Sequence, residues 1–351
     1  MAALGEFGLI AEVSAVLWPD QRGAQALVGI GDDAAVLAAP DGRVVASTDF
    51  LLEGRHFRRD TSSAADVGVK AAARSLIDVA AMGAVPTGLL VALAAPGDLP
   101  VSWALGLARG LAQECARAGA SVVGGDTARA SSVLLAVTGL GDLGGRAPVL
   151  RSGAVPGDLV AVAGPLGHAA AGLALLSAGM TVPPAWAAPL VAAQRRPQPP
   201  YDAGPEAAGL GATAMIDISD GLLADLGHVA AASGVLIDVA SARLSPGNLS
   251  PGDPLLTAAR TVRAHIDPTA HIDLTDCGAS PGPASALAWV LTGGEDHALA
   301  ATFPPGTALP SRWTVIGDVR EAPEGAGVLG AGVLVDGQAW AGPAGWDHFS
   351  G

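Results

Sequence analysis

The stretch Ser47-Thr48-Asp49-Phe50-Leu51-Leu52-Glu53-Gly54-Arg55-His56-Phe57 decides how the rest of the sequence is interpreted. Residues 43–46 before it, Arg-Val-Val-Ala, form a short β-branched run that predicts a buried strand. The predicted strand ends on two hydroxyls and a carboxylate, and α/β proteins bind ligands at such strand ends. His56 follows in the same loop beside Arg55, so metal-type and phosphate-type ligands lie close together in the sequence. A helix-capping Asp and a surface His are the structural alternative.

Composition limits the classes of protein that fit. The 351 residues suffice for two domains, and a net charge of −14 with Lys70 as the only lysine excludes a basic nucleic-acid-binding surface. No run approaches the length of an apolar membrane span, and the first residues lack the basic region of a signal peptide. Cys115 and Cys277 form no metal-binding or redox spacing. We therefore expect a cytoplasmic protein without a membrane partner.

Two further stretches in the first half combine carboxylates with turns or apolar surroundings. Gly29-Ile30-Gly31-Asp32-Asp33 joins two glycines to adjacent carboxylates, which repel each other unless a cation or solvent relieves them. A solvated turn is the alternative there. Asp78 lies in the apolar second half of a helix predicted over residues 66–82. Burial of an unpartnered carboxylate is costly, which favours a metal-facing role over an ion pair with Arg74.

Two other predicted strands also end on carboxylates. The strand 121–123 leads into Gly124-Gly125-Asp126-Thr127, whose glycines allow a phosphate to approach the backbone. A second strand leads into Asp217-Ile218-Ser219-Asp220-Gly221, followed by a helix predicted from residue 222 to about 232. Ser219 or Asp220 as an N-cap is the alternative, but it does not explain Asp217, which shares a face with Ser219.

Two common nucleotide-binding motifs are excluded. The run 139–144, Gly-Leu-Gly-Asp-Leu-Gly, matches the dinucleotide fingerprint, but no helix is predicted after it. Lys70 lacks the preceding glycines of a Walker A loop. Hard oxygen ligands with few histidines and no cysteine clusters select Mg2+, and Gly-rich loops beside them suggest a polyphosphate. Phosphoryl transfer is the chemistry that needs only metal ions and positioning.

Two segments of the second half carry purely structural predictions. Residues 183–205 are rich in Pro and Ala and predict a semi-rigid surface segment. The pair Asp336-Gly337 between apolar runs predicts a hairpin turn. Residues 151–158 are the predicted junction between two domains.

Eight motifs in order along nearly the whole chain resemble the thiamine-monophosphate kinases. They are GIGDDAAV at 29–36, STDFLLEGRHF at 47–57, the stretch 70–86 with SLIDVAAMGAVP, GGDT at 124–127, RSGAVPGD at 151–158, DISDGLLADLG at 217–227, GGED at 293–296 and WDHF at 346–349. Each motif alone is weak evidence for the family, whereas eight motifs in the same order are specific to it. The wider superfamily contains aminoimidazole ribonucleotide synthetase, selenophosphate synthetase and a hydrogenase maturation protein, all of which use ATP.

The resemblance implies a mixed α/β (α+β) fold of two domains. The first, residues 1–150, would be a sheet domain that binds ATP and Mg2+ and dimerises, and the second, residues 151–351, an α/β domain that completes the nucleotide and substrate site. The implied activity is ATP-dependent phosphorylation of thiamine monophosphate to thiamine diphosphate by direct in-line transfer with several Mg2+ ions, in a homodimer. Another ATP-using synthetase of the superfamily, or a non-catalytic nucleotide- or metal-binding regulator, is the alternative.

The resemblance also implies roles for the positions that match the family's motifs. The implied Mg2+ ligands are Asp33, Ser47, Thr48, Asp49, Asp78, Asp126, Asp217 and Asp220. The implied ATP contacts are Gly125, Asp126, Arg151 and Ser219, and the implied thiamine-phosphate contacts are His56, Glu295 and Trp346. The residues expected to be catalytic are Asp49, Asp78, Asp126, Asp217 and Asp220. The predicted helix 102–118 offers no tyrosine where the family contacts ATP from this element.

Overall fold

The computed structural model describes residues 5–17, 26–28, 35–244, 253–265, 286–322 and 332–346. The chain divides into two compact units, residues 1–147 and 148–351, whereas the sequence placed the domain boundary after residue 150. Both units contain helices and strands, which confirms the predicted mixed α/β class. None of the helices in these ranges combines the length and apolarity that a membrane span needs.

The first unit is built on a four-stranded sheet. Its helices are α1 (Gly5–Leu17), α2 (Ala64–Ala81) and α3 (Val101–Ala118), and its strands are β1 (Ala26–Val28), β2 (Val36–Leu37), β3 (Val45–Leu52), β4 (Val85–Ala95), β5 (Ser121–Arg129) and β6 (Leu134–Asp142). The sheet order is β3-β6-β4-β5, in which β4 and β5 are parallel and the other pairs antiparallel. Strands β1 and β2 form a separate antiparallel pair.

Helix α2 approaches its neighbours closely because glycines face it. A Cβ atom on Gly110 of α3 would lie 2.1 Å from the carbonyl oxygen of Ala65 in α2. A Cβ atom on Gly139 of β6 would lie 2.4 Å from the carbonyl oxygen of Ser75. These contacts leave no room for side chains, so the α2 backbone lies directly on α3 and on the sheet.

Two helices follow the sequence prediction. Helix α2 begins after Ser63, whose hydroxyl accepts from the Asp66 backbone while the Asp66 carboxylate accepts from the Ser63 backbone, a capping box. Helix α3 ends at Gly119 with φ +73°, the left-handed conformation expected of a C-terminal glycine. The predicted helices at 66–82 and 102–118 are therefore confirmed with small shifts in their first residues.

The predicted ends of two strands are wrong. Strand β3 does not stop before Ser47 but runs through Asp49 to Leu52, and β5 runs through Asp126 to Arg129. The polar residues do not end these strands because the ladder is formed by backbone groups, and polar side chains are accommodated on both faces of β3: Ser47 and Asp49 toward α2, and Thr48 beside Thr138. Gly125 of β5 has no room for a side chain, since a Cβ atom there would lie 1.9 Å from the Val91 carbonyl oxygen.

The second unit is built on a mixed seven-stranded sheet in the order β13-β12-β9-β11-β7-β10-β8. Its strands are β7 (Leu159–Ala163), β8 (Ala214–Ile218), β9 (Val235–Val239), β10 (Ala298–Phe303), β11 (Trp313–Glu321), β12 (Gly332–Val335) and β13 (Gln338–Ala339). Its helices are α4 (His168–Ser177), α5 (Ala188–Arg195), α6 (Ala203–Gly209), α7 (Leu222–Ser233), α8 (Pro254–His265) and α9 (Ala286–Thr292). Apolar residues of these strands and of α4, α7, α8 and α9 form a continuous core.

Two structural predictions for this unit have opposite outcomes. Residues 183–205 contain helix α5 and the start of α6, so the prediction of a semi-rigid surface segment is wrong there. Pro189 is tolerated in the first turn of α5, and Leu190 is buried in the core. The hairpin between β12 and β13 is confirmed, with Asp336 and Gly337 both at positive φ, as a tight hairpin turn requires.

Candidate active site

Strand β3 and helix α2 bring two hydroxyl–carboxylate pairs together in the first unit. The Ser47 hydroxyl donates to Asp78 Oδ2 at 2.5 Å, and the Ser75 hydroxyl lies 2.9 Å from Asp49 Oδ2. Arg74 adds a guanidinium nitrogen 4.0 Å from Asp49 Oδ1. The predicted residues Ser47, Asp49 and Asp78 are thus neighbours. Two carboxylates and two hydroxyls offer the hard oxygen atoms that Mg2+ prefers.

Two other residues predicted as metal ligands in the first unit lie apart from this group. Thr48 alternates with Asp49 along β3, and its hydroxyl bonds to the Val137 carbonyl and to Thr138. Asp126 lies on β5, three strands from β3, roughly 14 Å away at the usual strand spacing. The sheet therefore separates Asp126 from Asp49. Asp33 lies outside the described residues.

The loop after β3 fixes the orientation of His56. The Leu52 backbone N–H donates to His56 Nδ1 at 2.9 Å, so in the neutral ring the proton lies on Nε2. The His56 backbone N–H donates to the Leu52 carbonyl at 2.9 Å, and Lys70 Nζ donates to the His56 carbonyl at 3.1 Å. His56 therefore has a defined tautomer, with its Nε2–H donor buried.

Two distant segments of the second unit meet the loop at the end of β8. Asp217 lies in the strand, and the loop 219–221 follows it. The Glu295 backbone N–H donates to the Ser219 carbonyl at 2.7 Å, and the His297 backbone N–H donates to the Ile218 carbonyl at 2.9 Å. The Trp346 backbone N–H donates to the Asp220 carbonyl at 2.9 Å. Three segments distant in sequence therefore converge here, carrying the predicted residues Asp217, Ser219, Asp220, Glu295 and Trp346.

Residues 295 and 297 adopt a conformation that side chains rarely allow. Glu295 has φ +72° and His297 has φ +54°. Between them, the Asp296 carboxylate accepts from the backbone N–H groups of Gly167 and Ala169 at the start of α4, at 2.5 and 2.7 Å. His297 Nδ1 lies 3.3 Å from Asp217 Oδ2. The cap on α4 thus holds a strained loop in place, and the loop in turn orients Asp217.

Burial changes the acid–base behaviour of two carboxyls in this unit. Burial, with the nearby carboxylates of Asp217 and Asp220, raises the pKa of Asp225 to about 8. Backbone N–H groups of Asp220 and Gly221 donate to Asp225 Oδ2 at 3.1 Å each, and these two hydrogen bonds lower the pKa of Asp225. Burial likewise raises the pKa of Asp296 to about 7 against its backbone donors. Bound cations would favour the ionised form of such a cluster.

Arg151 lies away from the loop of Ser219. Its carbonyl accepts from the hydroxyl of Ser233, the last residue of α7, whereas the Ser219 loop precedes the first turn of that helix. The twelve residues of α7 span roughly 18 Å. Within the second unit, the two predicted ATP contacts are therefore at opposite ends of one helix.

A magnesium ion fits the donor chemistry of both units. Within the described ranges, no three His, Cys, Asp or Glu side chains gather into a ready-made metal cluster. Mg2+ does not require one, because it commonly binds through one or two carboxylates together with waters and substrate phosphates. The pair of Asp49 and Asp78, and separately Asp217 with Asp220, meet this requirement.

The sequence did not single out Ser75, Asp225, Asp296 or His297 as site residues. Ser75 lies three residues before Asp78 and hence on the same helix face, which is a usable signal. Asp225 and Asp296 act by accepting backbone N–H groups, and no sequence pattern shows such contacts. His297 meets Asp217 across 80 residues of chain.

An apolar cavity of about 140 Å3 adjoins the glycine-rich part of β5. Its walls come from α1, α3, β4 and β5, and Gly125, Asp126 and Thr127 line it. Helix α3 contributes Leu107 and Ala108. The cavity is thus a mainly apolar space beside residues predicted to contact ATP.

The first unit has the architecture of the class of proteins related to aminoimidazole ribonucleotide synthetase. Residues 31–143 match the family model described as AIR synthase related protein, N-terminal domain. The thiamine-monophosphate kinase of Mycobacterium tuberculosis is 44% identical over 349 residues, which cover 99% of this chain and 92% of that protein. The chain belongs to the thiamine-monophosphate kinase family, which confirms the family predicted from its motifs.

Solved structures agree with this membership. The crystal structure of the thiamine-monophosphate kinase from Stenotrophomonas maltophilia K279a has a TM-score of 0.74 and 30% identity, and the match covers 96% of this chain and 98% of that one. A structure described as AaThiL complexed with AMPPCP and TMP has a TM-score of 0.71 and 31% identity, covering 99% and 98%. The fold is therefore that of the family over nearly the whole chain.

Proposed function

We propose that this chain transfers the terminal phosphoryl group of ATP directly and in line to the phosphate of thiamine monophosphate, with several Mg2+ ions. The observation that carries the proposal is the grouping of oxygen ligands around Asp49 and Asp78 in a chain that belongs to this kinase family. The name of the relatives and the complex of AaThiL with AMPPCP and TMP support the two substrates.

The acceptor needs little activation. A phosphate monoester has a second pKa of about 6, so it is already anionic at neutral pH and no general base is required. The difficulty is repulsion between two anions, which bound Mg2+ would reduce. Asp49, Asp78, Asp217 and Asp220 would hold the ions, with Asp33, Ser47, Thr48 and Asp126 as the further ligands the family motifs imply. His56 would donate from Nε2 to the acceptor phosphate, Glu295 would contact the acceptor, and the Trp346 ring would stack on the thiazolium cation.

The nucleotide base would occupy the apolar cavity of the first unit. Gly125 and Asp126 at its wall are the residues that the motifs assign to ATP, with Arg151 and Ser219 as the other contacts. The aliphatic side chains of Leu107 and Ala108 would cover the adenine face in place of an aromatic ring.

A homodimer would cover the outer face of the four-stranded sheet. Phe50 of β3 is 58% exposed, and Leu90 of β4 is 37% exposed. Phe50 pairs with Ala136, which in turn pairs with Ala92, so an apolar row spans β3, β6 and β4 and ends at Asp126 of β5. Large exposed apolar patches mark interaction surfaces, and a two-fold copy is the commonest partner.

Product analysis tests the reaction, and phosphorus stereochemistry tests its course. ADP release should depend on thiamine monophosphate and yield thiamine diphosphate. ADP released equally fast without the acceptor would indicate an ATPase, and none at all would indicate a binding protein. With ATP made chiral at the γ-phosphorus, direct in-line transfer predicts inversion, whereas a phosphoenzyme intermediate predicts retention.

A further inference from the structure

Lys70, the only lysine of the chain, is buried in helix α2, where 2% of the residue is exposed. An ammonium group is costly to bury unless it makes specific contacts. Its Nζ donates to the carbonyl oxygen of His56 at 3.1 Å. The side chain therefore links α2 to the loop that follows β3.

Lys70 belongs to a stripe of charged residues on one face of α2. Lys70, Arg74 and Asp78 follow one another at intervals of four residues, which places them on the same side of the helix. Asp78 contacts Ser47, Arg74 approaches Asp49, and Lys70 contacts His56. Helix α2 therefore runs alongside β3 in the opposite direction, with Asp78 beside Ser47 of the strand and Lys70 beside the loop that follows it.

The sign of the charges changes along this stripe. The carboxylate of Asp78 lies at the end expected to hold Mg2+, and the ammonium of Lys70 lies at the end expected to hold the acceptor phosphate. The loop itself fixes the His56 ring through Leu52, while Lys70 holds the His56 main chain from a different element. Loss of Lys70 would leave the ring contact intact but release the loop from the helix.

We propose that Lys70 is a positioning residue for the acceptor phosphate: it fixes the loop that carries His56 and places a positive charge beneath it. This inference rests on the proposed function, in which His56 binds the phosphate of thiamine monophosphate. The ligand class is a phosphate monoester dianion, and Lys70 acts on it through the loop.

The substitution Lys70→Met distinguishes a role in positioning the loop of His56 from a role that only stabilises the fold. Met preserves an unbranched side chain and removes a buried charge, so the melting temperature without ligands should be equal or higher. The KM for thiamine monophosphate should rise about tenfold, while the KM for ATP changes less than about twofold. Lys70→Arg, which keeps charge and donors, should recover most of the affinity. A purely structural Lys70 would instead give a lower melting temperature with both KM values unchanged.

Arg117→Met is the matched control. Arg117 pairs with Glu114 within helix α3. This variant should leave both KM values unchanged. An equal rise in the KM for thiamine monophosphate in Arg117→Met would show a general loss of positive charge and overturn the specific role of Lys70.

Selective labelling provides a readout that does not depend on turnover. Because Lys70 is the only lysine, protein labelled with [13Cε]lysine gives one side-chain signal. Thiamine monophosphate should shift this signal in the parent, and His56→Ala should abolish most of the shift. A signal that stays unmoved at saturating thiamine monophosphate would overturn the proposal, even if Lys70→Met failed to fold. Lack of turnover by the parent would remove the proposed function itself, whereas normal parent turnover with an unchanged KM in Lys70→Met would overturn the positioning role alone.

Discussion

At the residue scale, hydroxyl–carboxylate pairs are the main feature of the candidate site. Asp78 accepts from Ser47, and Asp49 accepts from Ser75, so each carboxylate has a neutral donor. Neutral donors orient the oxygens without cancelling their charge, which leaves the charge available to a cation. Arg74 compensates Asp49 in part at 4.0 Å. Asp78, which lies on the helix facing Asp49, provides a direct test of a metal-binding role.

The substitution Asp78→Asn should have opposite effects on stability and activity. It keeps the size of the side chain and removes one charge from an anionic cluster, so the melting temperature in EDTA should equal or exceed that of the parent. The stabilisation by Mg2+ and ATP should largely disappear, because it depends on binding to the folded state. Turnover should fall by at least about a hundredfold.

Thermal melts in EDTA and in Mg2+-ATP measure the effects on stability, and ADP release measures the effect on turnover. Asp142→Asn is the control, since Asp142 accepts from the Gly144 backbone in the same unit. A lowered melting temperature in EDTA with intact turnover would assign Asp78 to a structural role instead.

Asp296 should make stability depend on pH. Its pKa is raised from 3.8 to about 7, so the folded protein binds this proton more tightly than the unfolded chain. Stability should consequently fall as pH rises from about 4 to about 7, and Asp296→Asn should remove that part of the slope. Denaturant unfolding of both proteins at about pH 5 and about pH 8 measures the difference. Identical slopes in parent and variant would contradict the assignment.

At the element scale, helices α2 and α3 were easier to predict than the strand ends, whereas α5 and α6 were missed. The capping residues of α2 and the terminal glycine of α3 are signals that can be identified in the sequence. The ends of β3 and β5 were misplaced because consecutive polar or glycine residues inside a strand resemble a loop in the sequence. Local patterns carry helix signals, whereas strand length depends on pairing with distant residues.

The same limit applies to the candidate site. Asp49 and Asp78 were predicted from their surroundings, and the structure places both side chains between β3 and α2. Their partners Ser75 and Ser47 were not predictable as pairs, because the contacts join residues 26 and 31 positions apart. Pairing across elements is a property of packing, which the sequence pattern does not encode directly.

The cavity between α1, α3 and the sheet yields a prediction about nucleotide affinity. Ala108→Leu adds apolar volume to the cavity wall, so we expect the KM for ATP to rise about tenfold or more. The KM for thiamine monophosphate should change less than about twofold. Ala116→Leu, on an exposed position of the same helix, is the control. Equal KM values for ATP in both variants would place the base elsewhere.

At the scale of the whole molecule, each unit carries its own set of oxygen ligands. Asp49 and Asp78 belong to the first unit, and Asp217 and Asp220 to the second. Each set is supported within its unit, by α2 in one case and by the loop around Asp296 in the other. The outer face of the first unit's sheet adds a third feature, an exposed apolar surface with no obvious role in binding anions.

Dimerisation through this sheet face is the prediction for the whole molecule. The side chain of Phe50 lies in the apolar row with Ala136 and Ala92, and it is 58% exposed. A stable interface usually buries about 1,200–2,000 Å2 in total, and a charge at its centre is strongly unfavourable. Light scattering coupled to size-exclusion chromatography should give twice the chain mass for the parent and one chain mass for Phe50→Glu. Val182→Glu, at a position 88% exposed in the second unit, should leave the dimer intact. A monomeric parent, or a dimeric Phe50→Glu variant, would show that the sheet face has another purpose.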